Sequence, residues 1–173
     1  GIISDGSVTV QDNATLKATG HDYALIASNI IVNGGTVIAN SKESLGIYAP
    51  DAISISNGAS VTASGTSPAV QSNNIAISNS AVNAVSSNGI AIYSTADVTI
   101  TNSIVEATSA DGQTGIQSDG TASVSDSWIH TSGNEDFENH IEDSVLINKT
   151  AGTVIGNHTL PGDATIPAGT TLT

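Results

Sequence analysis

One apolar position returns along this chain at Ile3, Leu25, Ile47, Val70, Ile92, Ile116 and Ile141, at intervals of 22 to 25 residues. A second returns at Val10, Ile31, Ile55, Ile77, Ile100, Val124 and Ile147, and a third at Leu16, Val37, Val61, Val82, Val105, Ile129 and Val154. Self-similarity at such a period marks a structure built by stacking one unit on the next. Each unit carries three short apolar strands separated by polar turns. Within them the alternation has period two, with Ile53 and Ile55 inward around Ser54, and Val98 and Ile100 inward around Thr99. No repeat shows a helical period. Leucine-rich repeats share the spacing but need a leucine-rich consensus, which is missing here. The pattern predicts an all-β parallel β-helix, a solenoid of about seven coils spaced about 4.8 Å apart.

Composition supports a narrow shaft. The 173 residues contain one Phe, one Trp, no Met and no Cys. A core stacked from Ile, Val and Ala does not require large aromatics. Asn33, Asn57, Asn79 and Asn102 follow the second apolar position by two residues, with Asp12 and Asp126 at the same place in outer coils. Asn tolerates the left-handed bend of a tight turn, and stacked amides bond coil to coil, so these residues read as a structural ladder.

Two segments depart from the pattern. Residues 131–139 form the longest excursion, read as a short helical turn capped by Asn134 with Phe137 over the core. In the tail, Val154, Leu160, Ile166 and Leu172 recur every six residues. That predicts a rod continuing in shorter strands, with turns at Pro161-Gly162 and Pro167-Ala168-Gly169. The expected division is a parallel β-helix over 1–156 and a C-terminal extension or cap over 157–173.

Charge excludes several functions. The net charge is −13, with no Arg and with lysine only at positions 17, 42 and 149. Nucleic-acid binding needs a basic footprint and is not expected. Membrane insertion is not expected either. Without Cys there is no disulfide framework or thiol chemistry. No signal peptide or membrane-spanning stretch is visible. The chain starts at Gly1 without Met and stops at Thr173 within a strand-like pattern, which reads as a piece of a longer exported protein.

The units Gly46 to Gly58 and Ala91 to Ser103 carry the pattern A-I-x-(A/S)-x-D-(V/I)-x-I-x-(N/G)-G. It resembles right-handed β-helix proteins of the pectate-lyase-like superfamily, and within them the carbohydrate-binding cell-surface β-helix proteins of Gram-positive anaerobic bacteria. The tail looks like a segment common in their large secreted proteins. The resemblance implies an extracellular setting, contact with a polysaccharide or host-surface glycan, and in some members calcium. Repeat motifs specify fold and location better than activity.

Enzymatic signatures of that fold are missing. Lyases use an Arg or Lys base and basic groups to neutralise a uronate. The hydrolase motifs N-T-D, D-D, G-H-G and R-I-K do not occur. Asp111 and Asp119, with Glu142 one coil on, are the best carboxylate pair, but both aspartates precede Gly and read as turn residues. His21, His130, His140 and His158 share no zinc-ligand spacing.

The residue after the first core position forms a surface column: Ser4, Ile26, Tyr48, Gln71, Tyr93, Gln117 and Glu142. Aromatic faces stack on sugar C–H faces and amides bond hydroxyls, so Tyr48, Gln71, Tyr93, Gln117 and Glu142 are the expected carbohydrate-binding residues. The preceding residues Ala24, Gly46, Ala69, Ala91 and Gly115 are small, which would keep the strip flat. For calcium the candidates are Asp111, Asp119, Glu135 and Asp136, with Glu138, Glu142 and Asp143 close in sequence. The expected function is a non-catalytic extracellular binding or adhesion module. A structural stalk and a polysaccharide-degrading enzyme are the alternatives.

Overall fold

The computed structural model describes residues 1–135, 140–149, 151–157 and 159–173, with positions 134, 135 and 140 described by their backbone. It is a parallel β-solenoid of about seven turns, and no described residue is helical. Along one sheet run Ile2–Gln11, Tyr23–Asn33, Leu45–Ser56, Val70–Ser78, Val98–Thr101, Ala122–Ser125 and His140–Glu142. The second sheet stacks Thr15–Gly20, Thr36–Ser41, Ser60–Gly65, Ala81–Ser86, Ile104–Thr108, Trp128–Thr131 and Ser144–Asn148. In the early coils the long strands of the first sheet bend at a register shift, as between Ile26 and Asn29, so each supplies two of a coil's three faces. Later coils split the same path into separate strands, such as Ile92–Ser94 and Val98–Thr101.

Period-two alternation then fills the shaft. Ile2, Leu25, Ile47, Val70, Ile92 and Ile116 lie in one register column. Val10, Val32, Ile55, Ile77, Ile100, Val124 and Ile141 form the second. Leu16, Val37, Val61, Val82, Val105, Ile129 and Leu146 form the third. A fourth inward column of Ala18, Ala39, Ala63, Ala84 and Ala107 narrows the shaft at the end of the second sheet. Small and β-branched residues thus replace the aromatics of a globular core.

Counting along the sequence misplaced five core positions. Ile3 is 73% exposed and Ile2 takes its place, while Ile31 is 38% exposed beside Val32 at 1%. Adjacent apolar residues point to opposite faces of a strand, so spacing alone could not choose between them. Ile141 belongs to the second column rather than the first, because Ile116 pairs with Glu135. The first strand of the last coil is Asn134–Glu135, so the 131–139 excursion contains a strand where a helical turn capped by Asn134 was expected; Phe137 lies outside the described residues. Ile147 consequently faces outward on the second sheet, in register with His130, and Leu146 fills the core beside Ile129.

The C-terminal end also departs from expectation. Ala151–Ile155 runs antiparallel to Ser144–Asn148, with Val154 opposite Val145, and Thr171–Leu172 then pairs parallel to it. Val154 is therefore no part of the core, and the parallel stack stops there instead of continuing. The tail folds back over the outer side of the second sheet, where Ala164 packs on Trp128, Val145 and Ile147. The Pro167-Ala168-Gly169 turn forms as expected, closed by Thr170 N–H donating to Pro167 O at 3.1 Å.

Turns between the two sheets use a left-handed residue in every coil. Asp12, Gly34, Asn57, Asn79, Asn102, Asp126 and Asp143 all have positive φ, from 40° to 68°. In the second coil the bend belongs to Gly34, not Asn33. Asn33 keeps a place in the ladder through its side chain, whose Oδ1 accepts from Asn57 Nδ2 at 2.5 Å. Asn102 Nδ2 donates to Asn79 Oδ1 at 2.6 Å. A run of buried serines follows these bends. The N–H groups of Ser80, Ser103 and Ser127 donate to Oγ of Ser103, Ser127 and Ser144, at 3.1–3.2 Å. Each of these hydroxyls donates in turn to the carbonyl two residues earlier in its own coil.

Candidate functional site

Ile26, Tyr48, Gln71, Tyr93 and Gln117 stand in one continuous register column on the outside of the first sheet. All five are half-buried. Each follows an inward core residue (Leu25, Ile47, Val70, Ile92, Ile116), so period-two alternation turns it outward. Tyr48 and Tyr93 are two coils apart, about 10 Å at β spacing. Ile3 occupies the first place of the strip, because it pairs with Ile26; Ser4 is displaced from it and pairs with Ala27.

Glu142 does not belong to this strip. It pairs with Ser125, one face further round the coil. There it borders a shallow hollow of about 300 Å³ lined by Thr99, Thr101, Ser123 and Ser125. The displacement has the same cause as that of Ile141, since the first strand of the last coil lies further back in the sequence. The small residues preceding the core position are buried, and packing rather than flatness keeps them small. A Cβ on Gly46 would come within 2.6 Å of Ser64 O and 2.7 Å of Ala69 O, and one on Gly115 within 2.7 Å of Thr131 Cβ. This is the corner where the second sheet hands the chain back to the first.

Acidic residues edge the strip. At the corner after it stand Asp51, Asp97 and Asp119, all exposed. Tyr93 O–H donates to Asp119 Oδ2 at 2.6 Å, and that bond, with slight burial and the carboxylate charge, raises the phenol pKa above 10.0. Asp97 Oδ1 accepts the Thr121 N–H at 2.8 Å, locking that corner to the next coil. At the corner before the strip, His21 Nδ1 faces Asp22 Oδ1 and His21 Nε2 faces Glu43 Oε1, both at 3.1 Å. The hydrogen bond to Asp22, the Glu43 charge and the Asp22 charge, in that order, raise the His21 pKa above 6.5. Glu43 follows His21 by 22 residues, one repeat. The period that reveals the core would have paired these two, had it been applied to charged positions.

Among the described residues, His21, Asp22 and Glu43 are the one group of three or more His, Asp and Glu whose ligand atoms all fall within 4.8 Å. All three are exposed, and each ring nitrogen already meets its own carboxylate. The arrangement is that of an imidazole ring held between two carboxylates, with far fewer oxygens than calcium takes. Of the calcium candidates, Asp111 and Asp119 occupy opposite corners of one coil, with strand Thr114–Ser118 between them. The Glu135 side chain and Asp136 lie outside the described residues.

A hollow of about 330 Å³ lies on the second sheet, where the tail passes at Pro161 and Gly162 above Ala59, Ser60, Ala81 and Ile104. Asn79 and Asn102 reach its rim, but they spend one donor and one acceptor on each other. It has no aromatic lining, whereas the strip has two aromatics in register with two amides. The strip is therefore the better candidate for an extended ligand, although it is the flatter surface. Comparison with protein-family models, with curated proteins and with solved structures finds no match for this chain.

Proposed function

We propose that the chain is a non-catalytic binding module of the cell surface or secreted space, holding a polysaccharide or host-surface glycan along the Tyr48–Gln71–Tyr93–Gln117 strip. The observation that carries this reading is the register that sets two tyrosines and two glutamines alternately in one outward column. Aromatic faces at every second coil, with amides between, suit a linear chain of sugar rings lying parallel to the rod. Stacked coils hold these side chains on paired strands, so little ordering is left to do on binding. The likeness to carbohydrate-binding cell-surface β-helix proteins of Gram-positive anaerobes supports the same reading, as does an acidic chain without cysteine.

A glycan array followed by titration of the hits tests it. Tyr48→Ala and Tyr93→Ala are each expected to weaken binding about tenfold, and the double variant more. Absence of any glycan ligand, or hits indifferent to both substitutions, would return the chain to a structural stalk. Release of reducing ends or unsaturated products would make it an enzyme instead.

A further inference from the structure

The strip is flanked along both edges by one sign of charge. Asp51, Asp97 and Asp119 occupy the corner after it, at the levels of Tyr48, Tyr93 and Gln117, with Asn73 at the level of Gln71 between the first two. Asp22, Glu43 and Asp111 occupy the corner before it, all exposed. Against these six carboxylates stand Lys42 and a His21 already held between Asp22 and Glu43. Lys17 lies on the second sheet and Lys149 just beyond it, so neither reaches this face. The strand that carries the strip is about three residues wide, so its midline lies about 5 Å from either corner. That is inside the Debye length of about 8 Å at physiological salt, so the corner charges act on anything seated there.

We infer that these corner carboxylates make the strip selective for glycans without anionic groups, with Asp51, Asp97 and Asp119 as the specificity-determining residues. This rests on the reading of the strip as a glycan site. A uronate, sulfate or phosphate on a chain lying over the strip would meet Glu43 and Asp51 on either side of Tyr48 and Asp97 and Asp119 beside Tyr93, with Lys42 the one lysine near this face among the described residues. Like charges along both edges of one face repel the ligand and slow its approach. An uncharged chain loses nothing, and Asp119 stiffens the platform by holding the Tyr93 hydroxyl. All three aspartates also have bonding tasks that an asparagine can keep: Asp51 Oδ2 accepts from Asn29 Nδ2 at 3.5 Å, the Asp97 oxygen accepts a backbone N–H, and the Asp119 oxygen accepts a phenol. The charge can therefore be removed with the corner geometry preserved.

The test is affinity electrophoresis through gels containing β-glucan, xylan, mannan, or polygalacturonan in methyl-esterified and de-esterified forms. The last two share a backbone and differ in charge. The native chain is expected to be retarded by one or more uncharged polymers and not by de-esterified polygalacturonan. The triple variant Asp51→Asn, Asp97→Asn, Asp119→Asn is expected to gain roughly three- to tenfold in affinity for the de-esterified polymer at low salt, and much less at high salt. Asp12→Asn, Asp126→Asn, Asp163→Asn removes the same charge elsewhere and is expected to leave that affinity unchanged. Equal retardation of the native chain by both forms, no gain in the first variant, or an equal gain in the second would each overturn the inference alone. Retardation by no polymer would remove the glycan reading, and this inference with it.

Discussion

Tyr93 and Asp119 join two coils across the edge of the exposed strip: the phenol of one level donates to the carboxylate of the next at 2.6 Å. The bond favours the protonated phenol, so ionisation is expected above 10.0. A group whose pKa is raised on folding stabilises the fold fully below its unfolded value, and the contribution fades as pH rises through the folded value. Ultraviolet titration of the native chain and of Asp119→Ala measures this directly. The variant should return one phenol toward the ordinary value and leave the others in place. Identical curves would show that the bond does not persist in solution.

His21 provides the corresponding test near neutrality. With Asp22 on one ring nitrogen and Glu43 on the other, its pKa is raised above 6.5. The sign is that of a base gaining acidic partners: stability is present below the unfolded pKa and is lost as pH rises through the raised folded value. Proton NMR titration of the ring should give a midpoint above that of free histidine. Asp22→Asn should lower it more than Glu43→Gln does, because the hydrogen bond to Asp22 is the larger cause. A ring titrating at the free value would dissolve the cluster.

Asn102 combines a left-handed bend, φ 46°, with a side-chain bond to Asn79. Asn102→Gly removes the bond but suits the bend, so it is expected to cost about 0.5–1.5 kcal/mol. Asn102→Ala also forces an alanine into the left-handed region, adding about 1–2 kcal/mol. Urea denaturation should rank native, Gly and Ala in that order. An alanine variant as stable as the glycine one would deny the turn geometry.

The neighbours Ile31 and Val32 separate register from hydrophobicity. Ile31 is 38% exposed and Val32 1%. Replacing either with threonine keeps a β-branched strand residue. Ile31→Thr should change stability by no more than about 0.5 kcal/mol. Val32→Thr buries a hydroxyl among Val10, Ile55 and their neighbours and should cost about 1–3 kcal/mol. The reverse order would shift the whole strand by one residue.

The solenoid was legible because its shaft repeats one side-chain type at one interval, and Leu25, Ile47, Val70 and Ile92 needed nothing further. Legibility failed where two physical signals overlapped. At Ile30-Ile31-Val32 and at Ile2-Ile3, consecutive apolar residues hid the alternation. At Asn134–Glu135 the strand at this level is polar, so the apolar pattern resumes only at Ile141, and Glu142 takes the wrong place with it. The exposed strip was found because tyrosine and glutamine stand out among serines. The serine run is hidden for the opposite reason: serine fills turns throughout this chain, and only the fold decides which hydroxyls are buried. The reversal after Asn148 depends on which edge the next strand finds, and a six-residue apolar spacing carries no direction.

That serine run divides the rod. From the fourth coil onward, the amide at the turn is satisfied by the level above it, through Ser103, Ser127 and Ser144. In the first and third coils the equivalent amides, of Ala14 and Ala59, close onto Gln11 and Ser56 of their own level. Opening any one of the later levels strands this buried donor on its neighbour, while in the first and third levels the same amide keeps its bond when the sheet pairing around it is lost. The molecule should therefore melt unevenly, peeling from its amino-terminal end while the carboxy-terminal levels let go together.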